Sequence, residues 1–171
     1  MNIAAMPLSR KKIRNLAFEL RKITGCDENP YFPIVQFIEW VLANPENNMG
    51  MEFEVVEPFE MEDTYGTTNT SRNIMRIRSD VYEGAIHDNP RDRFTLCHEL
   101  GHYILHQPEN ISYARGHIPV YQNPEWQANT FAAELLAPAD LVKDMSIEEM
   151  TTQCVMSRQA ATIQYKELHK Y

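Results

Sequence analysis

The stretch Asn89-Pro90-Arg91-Asp92-Arg93-Phe94-Thr95-Leu96-Cys97-His98-Glu99-Leu100-Gly101-His102-Tyr103-Ile104-Leu105-His106 decides how this chain is read. Asn89 is a good helix cap, Pro90 suits the first helical position, and Asp92 places negative charge in the first turn. Pro108 ends the helix soon after His106. Phe94, Leu96, Leu100, Tyr103 and Ile104 supply an apolar side. Within this helix His98-Glu99-Leu100-Gly101-His102 is an H-E-x-x-H sequence. Residues four apart lie one turn apart on the same face, so both imidazoles can reach one ion. Glu99 falls to the side of that face, where its carboxylate can hydrogen-bond an attacking water instead of the metal.

A catalytic zinc takes three protein ligands and keeps one position open. His106 is the nearest further candidate, but on a straight helix it stands about 12 Å along the axis from His98. Bonds of about 2 Å do not bridge that distance. A metzincin would carry Gly three residues and His six residues beyond His102; Leu105 and Pro108 occupy those positions and exclude that subclass. The third ligand is therefore expected from another helix. Asn123-Pro124 repeats the start signal, and a helix from there to about Leu136 holds two candidates. Glu125 follows His102 by 23 positions, enough for a loop to bring the chain back antiparallel. Asn129, one turn on, is placed to hydrogen-bond the outer nitrogen of a ligand histidine. Glu134 is the rival, on roughly the opposite side of the same helix. A first-turn carboxylate such as Glu125 also complements a helix N-terminus without any metal. Tyr103, Tyr113, His117 and Tyr121 are available as donors to a developing oxyanion, and no spacing singles one out.

Upstream, Ser9 to Gly25 reads as a helix capped by Ser9, with Ile13, Leu16, Ala17, Leu20 and Ile23 on one face. Its basic residues Arg10, Lys11, Lys12, Arg14, Arg21 and Lys22 read as a solvated face. Pro33 to Ala43 predicts a second short helix. Met51 to Val56 and Asn73 to Ser79 alternate as strands do, and the latter is a candidate exposed edge for strand addition by an extended substrate. Glu57 to Arg72 is polar and turn-rich, a hairpin or loop, and a loop is expected up to Tyr121. Ser146 and Glu149 form a capping box, and Ser157 caps a last helix. These elements give a single domain over 1–171, with about 146–171 as a small helical appendage.

Composition narrows the setting. The 171 residues are 43% hydrophobic, sufficient for an ordinary core, with a net charge of −8. That balance, and the acidic residues interleaved with Arg158 and Lys166 near the end, argue against direct nucleic-acid binding. Cys26, Cys97 and Cys154 are scattered without a C-x-x-C pair, as suits a reducing compartment. The start does not read as a signal peptide, and Ile34 to Ala43, the most apolar stretch, is too short and polar to span a membrane. A cytoplasmic protein is expected.

Arg93 to His106, together with Glu125-Trp126-Gln127-Ala128-Asn129-Thr130-Phe131-Ala132-Ala133-Glu134-Leu135-Leu136-Ala137-Pro138, resembles the paired signatures of the ImmA/IrrE metallopeptidases. The second block, E-x-x-A-N-x-F-A-A-x-L-L-x-P, is far more specific than H-E-x-x-H. The resemblance implies an α+β, zincin-like fold, Zn2+ bound by His98, His102 and Glu125, and Glu99 as catalytic base. It makes Glu134 a surface or supporting residue, and His106, with Tyr103, a possible support rather than a ligand. It implies an intracellular peptidase of stress circuits or mobile elements whose protein substrate is a helix-turn-helix repressor. The alternative function is a zinc-dependent binding module that controls such a regulator without cutting it; the intact Glu99 favours cutting.

Overall fold

The computed structural model describes residues 1–47 and 50–170. Strand β1 (Asn2–Ala5) leads to Ser9, whose side chain accepts from the backbone N–H of Lys12 and starts α1 (Arg10–Ile23). The buried stripe of α1 runs through Ile13, Ala17 and Arg21, spaced four apart, whereas Leu16 is 43% and Ile23 82% exposed. The apolar face expected from the sequence is thus rotated, and an arginine ends it. Arg21 donates to the carbonyls of Cys26, Asn29, Pro30 and Leu135, tying the turn after α1 to the end of a later helix. A guanidinium with five donors can satisfy such a group of carbonyls, and an isoleucine cannot.

Helix α2 (Ile34–Phe37) continues as a π-helical turn over Ile38–Leu42, close to the expected second helix. Strands β2 (Glu52–Val56), β3 (Gly66–Asn69) and β4 (Ile74–Arg78) form a sheet in the order β2-β4-β3. The β2–β4 pair is parallel and β3–β4 antiparallel, with Thr68 opposite Met75. Met75 and Ile77 of β4 are fully buried, following strand alternation. The expected free edge at Asn73 to Ser79 is corrected here: β4 is hydrogen-bonded on both sides, and the sheet's edges are β2 and, over α4, β3. That strand lies in the polar segment, where Gly-Thr-Thr-Asn carries no apolar alternation to mark it. Asn73, at φ 54°, takes the left-handed conformation where the β3–β4 connection enters β4.

The chain passes from β4 straight into α3 (Ser79–Ile86), a helix not expected from the sequence. Helix α4 (Pro90–Leu105) has the expected start, with the Asn89 side chain accepting from the N–H groups of Arg91 and Asp92. Within the expected loop after it, β5 (Ile111–Ala114) pairs antiparallel with β1, Ile3 opposite Tyr113. Asn123 then caps α5 (Pro124–Leu136) through the N–H of Trp126.

Helices α4 and α5 approach closely at Gly101, where a Cβ would stand 3.1 Å from the Ala128 Cα and 3.3 Å from the Phe131 Cβ. The absence of a side chain at Gly101 is what lets the two helices come this close beside His98 and His102. Helices α6 (Ala139–Val142), α7 (Ile147–Gln153) and α8 (Arg158–Leu168) finish the chain. The Ser146–Glu149 capping box is present, Ser157 caps α8, and Met150, Cys154, Met156 and Ala161 join the main core.

Two further expectations are corrected at this end. Glu134 is not at the surface: it is fully buried and receives Arg10 and Arg14, each at 2.9 Å. Arg10 also donates to Gln164 of α8 at 2.6 Å. The basic face of α1 is therefore partly internal, because a buried carboxylate needs charged partners. Among the described residues, no helix is long and apolar enough to cross a membrane.

Candidate metal centre and catalytic cleft

The Nε2 atoms of His98 and His102 lie 3.0 Å apart, and Glu125 places its Oε2 3.2 Å from the first and its Oε1 3.2 Å from the second. The three donor atoms lie within 4.8 Å of one another. A tetrahedral ion with bonds of about 2.0–2.1 Å sets its ligand atoms about 3.3 Å apart. The spacing of the two imidazoles and the carboxylate suits a metal ion.

Each histidine is oriented from behind. The Nδ1 of His98 is 2.8 Å from the Asn129 Oδ1, so its N–H donates there and Nε2 keeps its lone pair for the cleft. His102 is held by a longer chain. The Gln127 amide nitrogen donates to the carbonyls of Met6 (2.8 Å) and Tyr121 (2.7 Å), which turns its oxygen toward the Nε2 of His106 at 3.0 Å. His106 therefore presents an unprotonated Nδ1, 2.8 Å from the Nδ1 of His102, and accepts that N–H. The His102 Nε2 is again left free. Burial holds His106 down to a pKa of about 4, keeping it neutral as this chain requires.

The charges of the triad respond to one another. When these histidines are protonated, hydrogen bonds from His102 and then His98 hold the Glu125 carboxyl well below the usual range. Burial opposes protonation of His98, but the hydrogen bond to Glu125 and the charge of Glu99 outweigh it, and its pKa is raised.

Glu99 is buried, 6% exposed, and outside the triad. Its Oε2 accepts from the Thr68 hydroxyl at 2.7 Å, while Oε1 has no hydrogen-bond partner among the described residues. Strand β3 lies directly on it: a Cβ on Gly66 would stand 2.9 Å from the Glu99 Cγ. Thr70, just after β3, donates to the backbone carbonyl of His106 at 2.8 Å.

Two cavities meet at His102 and Glu125. One, of about 710 Å³, is lined by Thr68, His106 and His117; the other, of about 550 Å³, by Tyr65, His98, Glu99 and Asn129. Of the four candidate oxyanion donors, only His117 lines these walls. Tyr103 belongs to the core cluster, and so supports the helix rather than the site.

Sequence reasoning misses Thr68, Gly66 and Gln127. Thr68 and Gly66 are hidden in the polar segment, where only the two-residue spacing of Thr68 and Thr70 hints at a strand. Gln127 sits inside the E-x-x-A-N block, between Glu125 and Asn129, with nothing to set it apart.

The sequence profile of Peptidase_M78, the IrrE N-terminal-like domain, matches residues 53–162, from β2 into α8 and including every residue of the triad. A search of curated proteins gives no match.

Proposed function

Since the chain belongs to the IrrE N-terminal-like peptidase family, with its α+β zincin-like fold, we propose that it is a zinc endopeptidase cutting a helix-turn-helix transcription regulator at a specific site. In this reading the whole chain, 1–171, acts as one domain, His98, His102 and Glu125 hold Zn2+, and Glu99 is the catalytic base. The observation that carries it is the separation of roles on α4. Two imidazoles converge with Glu125, while the buried carboxylate of Glu99 stands beside them, held through one oxygen only.

Zinc bound there would polarise the scissile carbonyl and lower the pKa of water toward neutrality. The protein's own groups do the rest. The substrate backbone adds along the outer edge of β3, which takes the place first expected of Asn73 to Ser79. Glu99 takes a proton from the attacking water and passes it to the leaving amine. Thr68 holds Glu99 in place for both transfers. Asn129 and the Gln127–His106 pair keep both Nε2 lone pairs directed into the cleft. His117, the one of the four candidate donors that lines the cleft, is assigned to the developing oxyanion.

Two further observations bear on the setting. Cys26, Cys97 and Cys154 are all free thiols, which supports a reducing, cytoplasmic location. A net charge of −8 supports a protein partner rather than direct contact with nucleic acid.

The test is cleavage of the regulator encoded nearest the gene by wild type and Glu99→Gln, both loaded with zinc. Cutting by wild type and retention of zinc without cutting by Glu99→Gln is the expected result. A wild type that binds zinc and grips the regulator but leaves it intact would turn the proposal into a binding module.

A further inference from the structure

Helix α8 leaves a cavity of about 590 Å³ against the exposed sides of α4 and α5. This is the size of a ligand pocket, and it adjoins the cleft of the candidate metal site. Phe94, Thr95 and Asn129 line both. Asn129 is the residue that orients His98, so the cavity opens one side chain away from the proposed ligands.

The opposite wall is apolar, made by Trp126 of α5 and by Ala160 and Ile163 of α8, the last 53% exposed. The charges around it are unequal. Arg10 is engaged by Glu134 and Gln164, and Glu167 by Lys170 and, at 3.8 Å, by Arg10. Arg91 differs: its guanidinium lies 4.5 Å from the centre of the Tyr65 ring and has no ion pair among the described residues. Tyr65 in turn lines the metal cleft. Arg91 therefore stands where the cavity and the cleft join, with its charge available in a chain whose net charge is −8.

We propose that this cavity is the specificity pocket of the peptidase, taking a large apolar side chain a residue or two from the scissile bond. An acidic residue nearby in the substrate meets Arg91. The proposal rests on the peptidase reading and deepens it. A substrate extended along β3 sends alternate side chains to the same side, and the pocket offers one of them an apolar enclosure beside the reacting centre. It also gives the α7–α8 hairpin a role, since its second helix is the wall that selects the substrate.

The experiment is selection of random linear peptides from a display library on zinc-loaded Glu99→Gln, repeated with Ala160→Trp and with Arg91→Glu added to it. Expected is enrichment of Leu, Met, Phe or Trp at one position, with Asp or Glu nearby. Ala160→Trp, which fills the cavity, should weaken binding of the enriched peptides about ten- to a hundredfold, the worth of one buried apolar side chain. Arg91→Glu should remove the acidic preference and leave the apolar one. Zinc content and melting temperature of each variant identify any that are misfolded, and Ile163→Asp, at an exposed site, then replaces Ala160→Trp. Enrichment without an apolar position, no enrichment at all, or binding unchanged in the cavity variants overturns the pocket. Whether wild type cuts the selected peptides is scored separately: apolar selection without cutting sinks the peptidase reading and spares the pocket.

Discussion

Helix α5 carries two glutamates nine positions apart that have opposite fates. Glu125, in the first turn, is exposed and turned to two histidines; Glu134, near the end, is fully buried and turned to two arginines. A carboxylate at the mouth of a cleft can exchange its partners for an ion, because water covers it when the ion is absent. A carboxylate in the core cannot be left alone, and α1 supplies Arg10 and Arg14 permanently. The first is free to hold an ion, while the second joins α1 to α5 and, through Arg10, to α8.

The most severe way to break this comparison is to exchange the fates. Glu125→Ala should lose stoichiometric zinc, measured by elemental analysis after dialysis, while the metal-free protein melts close to metal-free wild type. Glu134→Ala should do the reverse, keeping the three ligands but losing about 3 kcal/mol in denaturant titration, the cost of stranding charges around a buried partner. If Glu134→Ala were as stable as wild type, burial would not be what distinguishes the two residues.

The supports of the histidines sharpen the contrast. Asn129 acts on His98 directly and is exposed, whereas Gln127 acts on His102 through His106 and is buried against the Met6 and Tyr121 carbonyls. Both Asn129→Ala and Gln127→Leu should weaken zinc binding about 10- to 100-fold in competition with a chelator. Only Gln127→Leu should also lower the melting temperature, since it leaves the Met6 carbonyl and the Nε2–H of His106 without partners. The smallest effect is expected of Thr68→Val, which removes the hydroxyl holding Glu99. Turnover should fall about tenfold, as for loss of one hydrogen bond to a charged group, with zinc affinity unchanged.

How much of this is legible in the sequence follows the same division. Both helices of the site announce themselves through Asn-Pro starts, and α4 and α5 begin and end within a residue of the expected places. Local backbone chemistry is enough there. The two histidines, and Asn129 one turn from Glu125, are legible because helical spacing converts directly into shared faces; Glu125 is preferred to Glu134 through the family resemblance, and the structure brings His98, His102 and Glu125 together. Glu134 cannot be told from a surface or supporting residue, since its partners come from α1, more than a hundred positions away. Arg21 is concealed for the same reason: its ligands are carbonyls, which have no sequence signature. The outer strand β3 is concealed by its own polarity, and with it Thr68 and Gly66 over Glu99. The cavity between α4, α5 and α8 depends on how the α7–α8 hairpin docks, which no spacing encodes.

The most direct measurement of the central claim is zinc stoichiometry and zinc–ligand distances, by elemental analysis and X-ray absorption, on purified wild type, Glu125→Ala and Glu99→Gln. The account requires about one zinc per chain in wild type and Glu99→Gln, with two nitrogen ligands and a carboxylate oxygen at about 2.0–2.2 Å, and loss of that signal in Glu125→Ala. Full zinc retention by Glu125→Ala, or a wild type that takes up none, would contradict it.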